Sequence, residues 1–202
     1  LIGLIGANGA GKSTTIQSMM GTIPFFQGEI TIDTYCYVPE RPILYEYYTL
    51  WEHIDLLIRT LGQDENELKH RAKELCRVFR LNDKLYEYPI HFSKGMQQKV
   101  MLILALTPKY DLYILDEPFM GLDPQAIRKL IQLIEEYKSQ GAAILMSTHA
   151  LDTAEKICDS FICMHDGALL KQGSLQQLQR YPEQSLLEIF DELIEGEVHD
   201  VV

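Results

Sequence analysis

The segment that most constrains how this chain can fold is a glycine-rich stretch near its start, residues 6–13, which reads GANGAGKS. It matches the pattern G-x-x-x-x-G-K-[ST] in full. An apolar strand pattern at residues 1–5 precedes it, and a helical pattern follows it. In that setting the glycines let backbone N–H groups surround a phosphate, and the helix start adds the positive end of its dipole. The sequence therefore predicts a phosphate loop between a first strand and a first helix.

The rest of the apolar pattern predicts an α/β fold. Nearly continuous apolar runs at residues 111–115 and 142–146 are typical of strands buried on both faces of a parallel sheet. Helical patterns alternate with them, and residues 42–106 in between are mainly helical in pattern. We therefore expect a mostly parallel sheet that carries an inserted α-helical subdomain.

Carboxylates and a histidine follow two of the predicted strands. Asp116 and Glu117 end the first of them, and His149 ends the next. At that edge of the sheet, Asp116 could hold Mg²⁺ through water, and Glu117 could accept a proton from an attacking water. Within the phosphate loop, Lys12 would bring a cation to the β- and γ-phosphates and Ser13 a hydroxyl to Mg²⁺. These residues together predict a site for phosphoryl chemistry.

Composition excludes two classes of function. The chain has 18 Lys and Arg residues against 29 Asp and Glu residues, a formal charge of -11, which is the wrong sign for binding a nucleic acid backbone. No nucleic acid partner is therefore expected. The longest apolar run, residues 100–106, is far shorter than the ~20 residues that span a bilayer. If this protein serves a membrane, another chain must span it.

Four further segments follow the phosphate loop in an order that carries a family resemblance: residues 92–96 (FSKGM), 115–118 (LDEP), 121–123 (GLD) and 147–149 (STH). With them, the chain resembles an ATP-binding-cassette (ABC) ATPase subunit over essentially its whole length. The Ser-x-Gly of the first segment separates this family from other phosphate-loop enzymes. The resemblance implies a single ABC ATPase domain over residues 1–202 with a P-loop NTPase (RecA-like) core. Its expected parts are a catalytic core (1–41 and 107–173), a helical subdomain with the signature segment (42–106) and C-terminal helices (174–202).

The resemblance also implies a site. Two such domains would dimerise head to tail, so that Ser93 and Gly95 of one contact the γ-phosphate held by Lys12 of the other. The implied catalytic residues are Glu117 and His149, and the implied metal ligands are Ser13, Glu40 and Asp116. The implied ATP-binding residues are Gly6, Ala7, Asn8, Gly9, Ala10, Gly11, Lys12, Ser13, Thr14, Ser93, Gly95 and Asp123.

In function, the resemblance implies an ATPase that powers a membrane transporter. Its partners would be a second ATPase subunit, as a homodimer, and an integral membrane permease, and its place would be cytoplasmic, peripheral on the inner face of the cell membrane. The tyrosine-rich stretch at residues 45–48 suits a docking surface. The signature segment and the Pro39-Glu40 loop are similar to those of bacterial exporters, including the Ecs type. The alternative is a soluble ABC-type ATPase that acts on a macromolecular complex. A GTPase or nucleotide kinase is disfavoured because the chain has no Asn-Lys-x-Asp guanine-reading motif.

Three departures from the family pattern stand out. The signature segment has Lys94 and Met96 where the common form is Leu-Ser-Gly-Gly-Gln, although Ser93 and Gly95 are retained. Glu40 stands where the family has a glutamine. This replacement keeps an oxygen ligand for Mg²⁺ or water and adds a negative charge. Lys12 and Glu40 are only 28 positions apart, which is shorter than the family's usual interval and indicates either a real deletion or residues missing between Asp33 and Thr34. We also expect the N-terminal part of the domain, with its adenine-stacking aromatic residue, to precede residue 1, and a half-exposed strand at residues 28–33.

Overall fold

Strands and helices alternate along the chain, and helices follow one another between the second and third strands. The structure, a computed structural model, describes residues 1–23, 25 and 27–199. The strands are β1 (Ile2–Ile5), β2 (Tyr35–Val38), β3 (Leu112–Asp116), β4 (Ala143–Thr148), β5 (Ser160–His165) and β6 (Ala168–Gly173). The helices are α1 (Lys12–Met19), α2 (Leu50–Leu61), α3 (Glu65–Val78), α4 (Lys94–Leu106), α5 (Pro124–Ser139), α6 (Leu151–Ile157), α7 (Leu175–Leu178) and α8 (Leu186–His199), with a 3₁₀ turn at Pro89–His91.

The chain divides into two compact units, the first of which comprises Leu1–Asp33, Ile114–Glu117 and Ala143–Val202. In it, β1 lies between β4 and β5 and runs parallel to both. β5 turns back as an antiparallel hairpin with β6, and the strand order is β3-β4-β1-β5-β6. The predicted α/β fold with a mostly parallel sheet is thus confirmed.

The core of the first unit explains why its strands are apolar in sequence. Ile5 of β1 and Phe161 and Cys163 of β5 are almost fully buried and pack against Leu186 and Phe190 of α8. Each Å² of apolar surface that these contacts remove from water stabilises the fold by about 25 cal/mol. The C-terminal helix α8 therefore covers the sheet on the side of β1 and β5, and the carboxyl ends of the strands remain available for a site.

The second unit comprises Thr34–Tyr113 and Pro118–Ala142, and it holds β2 and the helices α2 to α5. A capping box starts α2, because the Thr49 hydroxyl accepts from the Glu52 N–H at 3.3 Å and the Glu52 carboxylate accepts from the Thr49 N–H at 2.7 Å. Gly62, with a left-handed φ of 63°, ends the helix. The mainly helical character predicted for residues 42–106 is confirmed. The three-part division of the domain stays a prediction.

The strand predicted at residues 28–33 is wrong, since these residues form neither a helix nor a strand. They are exposed apart from Ile32, which is half-buried. An alternating pattern makes a stable strand only where its backbone groups pair with a neighbour. Both edges of β1 are already paired with β4 and β5, and nothing among the described residues pairs with this segment.

No helix within the described part of the chain is both long enough and apolar enough to cross a membrane. The helix α2, for example, buries its apolar residues along one face, where Leu50, Ile54 and Ile58 lie in the core. This agrees with the short apolar runs in the sequence.

Candidate functional site

The predicted phosphate loop connects β1 to α1, and its backbone fits the predicted conformation. Gly11 occupies the N-cap of α1 with a left-handed φ of 97°. Gly6 sits so close to its neighbours that an added Cβ would lie 2.7 Å from the Met164 carbonyl oxygen. The β5–β6 turn supports the loop from one side, because the Gly167 N–H donates to the Ala10 carbonyl at 3.1 Å. Glycine is therefore required at these positions for reasons of both conformation and space.

Lys12 lies over this loop rather than in solvent. Its Nζ donates to the carbonyl oxygens of Gly6 at 2.7 Å and Ala7 at 3.1 Å, and the residue is only 8% exposed. The ammonium is thus held against the backbone of the loop. Ser13 and Thr14 follow in the first turn of α1, and both are exposed. The loop offers cationic and N–H donors to a polyphosphate, which fits the predicted ATP-binding role.

Asp116 lies beside Ser13 at the end of β3. The Ser13 hydroxyl is 3.5 Å from Asp116 Oδ2, and the Ser147 hydroxyl donates to Asp116 Oδ1. Carboxylate and hydroxyl oxygens are hard ligands of the kind that Mg²⁺ prefers, so Ser13 and Asp116 together could hold this ion. The third predicted ligand, Glu40, is exposed and follows β2 in the second unit.

Glu117 is the next residue, and its backbone is unusual. Its φ is 48°, in the left-handed region that a non-glycine residue occupies at a cost of roughly 1–3 kcal/mol. The Glu117 N–H donates to the backbone oxygen of Ser147 at 3.1 Å and lies 3.3 Å from its hydroxyl. The end of β3 is therefore hydrogen-bonded to β4, and the Glu117 side chain extends from the edge of the sheet at which both strands end.

His149 makes the contact that joins the two predicted catalytic residues. Its Nδ1 lies 2.8 Å from Glu117 Oε1, and its ring is exposed while the Glu117 side chain is 11% exposed. The Thr148 hydroxyl accepts from the Ala150 N–H at 3.0 Å and fixes the turn that carries the ring. The structure thus brings Asp116, Glu117 and His149 together in the first unit, although their roles stay predictions.

Ser147 was missed by the sequence analysis as a site residue. It is fully buried at the end of β4, and it contacts both Asp116 and Glu117. The available signal was the pair of hydroxyl residues, Ser147 and Thr148, that ends an otherwise apolar strand and follows the predicted strand with two carboxylates at its end. We assign Ser147 a positioning role for both carboxylates.

The signature segment and Asp123 lie in the second unit. Ser93 is the N-cap of α4 and accepts from the Met96 N–H at 3.4 Å. Asp123 is the N-cap of α5, and its Oδ2 accepts from Lys99 Nζ at 2.5 Å. The Lys99 ammonium, with the N–H groups at the start of α5, lowers the pKa of Asp123 to about 2. Asp123 therefore stays ionised at neutral pH and ties the start of α5 to α4.

Gly95 contributes a second contact between the same two segments. An added Cβ at this position would lie 2.1 Å from the Gly121 carbonyl oxygen, closer than any real contact. Gly95 is therefore required by packing, in addition to any phosphate contact that the signature segment makes.

Replacing Gly95 by alanine should accordingly destabilise the protein by about 1–3 kcal/mol, the usual effect of overpacking against backbone. Urea unfolding followed by circular dichroism measures this. The neighbouring exposed residue offers a matched control, and Lys94→Ala should change the free energy of unfolding by less than about 0.5 kcal/mol. Equal stability of the Gly95→Ala variant and the native chain would show that the Gly121 loop can move away without loss.

Comparisons with known proteins agree with the site. The family model described as ABC transporter matches residues 1–120. The chain is 47% identical over 202 residues to the uncharacterized ABC transporter ATP-binding protein YthP of Bacillus subtilis (strain 168), covering 98% of this chain and 86% of YthP. It is 43% identical over 192 residues to the ABC-type transporter ATP-binding protein EcsA of the same organism, covering 89% of this chain and 78% of EcsA.

A solved structure of the ATP-binding subunit of an ABC transporter superposes with a TM-score of 0.93 at 44% identity, covering 96% of this chain and 87% of that chain. The mixed α/β architecture, the phosphate loop and the family match thus agree with one another. They confirm the resemblance inferred from the signature, Leu-Asp-Glu-Pro and Thr-His segments. The chain belongs to the ABC transporter ATP-binding family and is an ATP-binding subunit with the ATPase fold and activity of that family.

Proposed function

We propose that this chain hydrolyses ATP as one half of a head-to-tail dimer, and that the resulting opening and closing drives a membrane transporter that exports its substrate. The observation that carries the proposal is the Glu117–His149 contact of 2.8 Å beside Asp116, within the unit that holds the phosphate loop. Transport is supported by the relatives YthP and EcsA, both of which are named as ABC transporter proteins. Export is supported only by the resemblance of the signature segment and the Pro39-Glu40 loop to those of bacterial exporters.

Binding of ATP would use the phosphate loop and its lysine. The β- and γ-phosphates would accept from the loop N–H groups, and Lys12 Nζ would exchange the Gly6 and Ala7 carbonyl oxygens for phosphate oxygens. Ser13, Asp116 and Glu40 would hold Mg²⁺, which when bound neutralises part of the phosphate charge. Ser147 keeps the Asp116 carboxylate turned toward Ser13.

Hydrolysis would use the pair of side chains at the ends of β3 and β4. Glu117 accepts a proton as a water oxygen forms its bond to the γ-phosphorus and the bond to the β,γ-bridging oxygen breaks, which releases ADP and phosphate. His149 Nδ1–H donates to Glu117 Oε1 and holds the carboxylate in one orientation. The left-handed backbone at Glu117 places that carboxylate beyond the end of the strand.

Dimerisation would use a surface of the second unit. Ser93, at the exposed start of α4, and Gly95 would contact the γ-phosphate held by Lys12 of the second copy. Asp123 would lie at the same interface, because Lys99 and the Gly95–Gly121 contact fix the start of α5 to α4. One nucleotide would therefore be enclosed by two copies of the chain.

Docking to a permease would use exposed aromatic side chains of the second unit. Tyr47 and Tyr86 are 80% and 78% exposed, and Tyr45 packs against Tyr48 with ring centroids 5.2 Å apart. Exposed aromatic clusters of this kind mark protein interaction sites more often than plain solvent-facing surface.

Purification of the tagged chain from detergent-solubilised membranes tests the transporter assignment. We expect it to recover a polytopic membrane protein together with ATPase activity, and the double variant Tyr47→Ala/Tyr86→Ala to lose that partner while it keeps the activity of the isolated subunit. Recovery with ribosomes, DNA or a soluble scaffold instead would support the soluble ABC-type ATPase and contradict the transporter assignment.

A further inference from the structure

A cleft in the second unit is lined by more cations than anions. It has a volume of about 300 Å³ and lies between the end of α3, the side of α4 and the first half of α5. The charged side chains that line it are Arg80, Lys99, Asp123, Arg128 and Lys129. Four cations and one anion face this cleft in a chain whose overall charge is -11, so the local charge opposes that of the whole molecule.

The single anion is already fully used. Asp123 Oδ2 accepts from Lys99 Nζ at 2.5 Å, and Oδ1 accepts from the N–H groups of Gln125 at 3.0 Å and Ala126 at 2.9 Å. Lys99 and Asp123 therefore neutralise each other, and in the described part of the chain no carboxylate pairs with the other cations of the cleft. Arg80, Arg128 and Lys129 are the three cations that remain to meet a ligand at this cleft.

The remaining cations have weak partners or none. Among the residues that the structure describes, no hydrogen bond or ion pair involves the side chains of Arg80 and Arg128. Lys129 Nζ donates at 3.1 Å to the amide oxygen of Gln132, which is neutral. Both arginines are exposed, so their guanidinium groups are free to turn into the cleft. About three positive charges are thus available to a ligand.

The backbone at Arg80 gives an independent indication. The Leu81 N–H donates to the Cys76 oxygen at 2.7 Å and the Arg80 N–H to the Arg77 oxygen at 3.1 Å, which closes α3 in a Schellman motif. Arg80 occupies the left-handed position of this motif, with a φ of 58°, where glycine is the usual residue. Because glycine would occupy this position with less strain, the arginine side chain is a candidate for a functional contact.

We propose that this cleft binds a phosphate-bearing small molecule at a site separate from the phosphate loop. Its volume lies at the lower end of the range for small-ligand sites, about 300–1,000 Å³. Each of the two guanidinium groups can bind two oxygens of one phosphate. The charge of about three free cations also matches a phosphate group better than a single carboxylate. Val78, Phe79 and Ala126 supply an apolar wall for the body of such a ligand.

Calorimetric titration with inorganic pyrophosphate tests the site while a non-hydrolysable ATP analogue saturates the phosphate loop. We expect the native chain to bind pyrophosphate, and Arg80→Gly and Arg128→Gln each to weaken its affinity roughly tenfold, the effect of one lost charge-assisted hydrogen bond. Because glycine suits the backbone at this position, the Arg80→Gly variant should unfold at the same or a higher urea concentration than the native chain. Weaker binding by that variant therefore cannot be ascribed to unfolding.

Arg77→Gln is the matched control, since Arg77 is an exposed arginine in the last turn of α3 that does not line the cleft. Its affinity for pyrophosphate should equal that of the native chain. Absence of binding at millimolar pyrophosphate, or equal weakening in all three variants, would overturn the proposal. A parallel titration with hexaglutamate separates the other anionic class. Binding of hexaglutamate that depends on Arg80 and Arg128, without binding of pyrophosphate, would assign the cleft to an acidic protein segment and also overturn it.

Discussion

Replacing Glu117 by glutamine should lower ATP turnover at least about 100-fold while ATP affinity stays within about twofold of the native value, since general-base catalysis contributes roughly 10²–10⁴. The amide has nearly the shape of the carboxylate and can still accept from His149 Nδ1–H, but it cannot take the proton from water. The contacts of the Glu117 N–H to Ser147 involve only the backbone and would remain. Phosphate release at saturating ATP measures turnover, and calorimetry measures affinity.

The same variant tests the dimer, because bound ATP that is not hydrolysed should hold two copies together. Size-exclusion chromatography with ATP should show a dimer for Glu117→Gln that the native chain forms only transiently. Glu29→Gln provides the control, since Glu29 is an exposed carboxylate of the same unit outside the site. Undiminished hydrolysis by Glu117→Gln would remove Glu117 from the role of general base.

The elements that the sequence predicts correctly are those whose signals are local. The helix α2 begins at a threonine with a glutamate three residues later and ends at Gly62, and each of these residues acts within one turn of the helix. The helix α5 likewise begins at Asp123 and Pro124. The phosphate loop is also local, because eight consecutive residues specify the turn, the donors and the helix start. The fold class follows from the order of such elements.

The features that could not be predicted depend on contacts between distant parts of the chain. The pattern at residues 28–33 is that of a strand, but a strand needs a partner, and pairing is set by the topology of the sheet. Ser147 acquires its role only because β4 lies beside β3 and brings its hydroxyl to Asp116. The close approach of Gly95 to Gly121 requires α4 and the start of α5 to meet, which no local pattern encodes.

The left-handed backbone conformations of Glu117 and Arg80 could not be predicted from local signals either. Neither Glu117 nor Arg80 belongs to a residue type that favours a left-handed φ, and propensity alone would place both in ordinary conformations. At Glu117 the strain coincides with the predicted catalytic carboxylate, which local rules alone would not have foreseen. Positions at which local preference fails are candidates for functional constraint. Arg80 and Glu117 are two of the four described non-glycine residues with a left-handed φ, beside Asp166 and Glu183.

Replacing Lys12 by alanine should weaken ATP binding about 10- to 100-fold, the loss expected for a charge-assisted contact worth about 1.5–3 kcal/mol. The expected loss depends on the number of phosphates in the ligand, because the ammonium is predicted to reach only the β- and γ-phosphates. Calorimetry should therefore show a large loss for ATP and almost none for AMP, which lacks these groups. A general distortion of the loop would weaken both ligands together.

Stability has to be measured in the same variant, because Lys12 is buried and its removal leaves the carbonyl oxygens of Gly6 and Ala7 without this donor. We expect a loss of about 1 kcal/mol in the free energy of unfolding, which leaves the chain folded. Lys156→Ala, a change of equal charge at an exposed position on α6 of the same unit, should alter neither stability nor ATP affinity. Equal ATP affinity in the Lys12→Ala and Lys156→Ala variants would refute the assignment. If Lys12→Ala loses ATP affinity while Glu117→Gln retains it, the two variants distinguish the residue that binds the phosphates from the residue that activates the water.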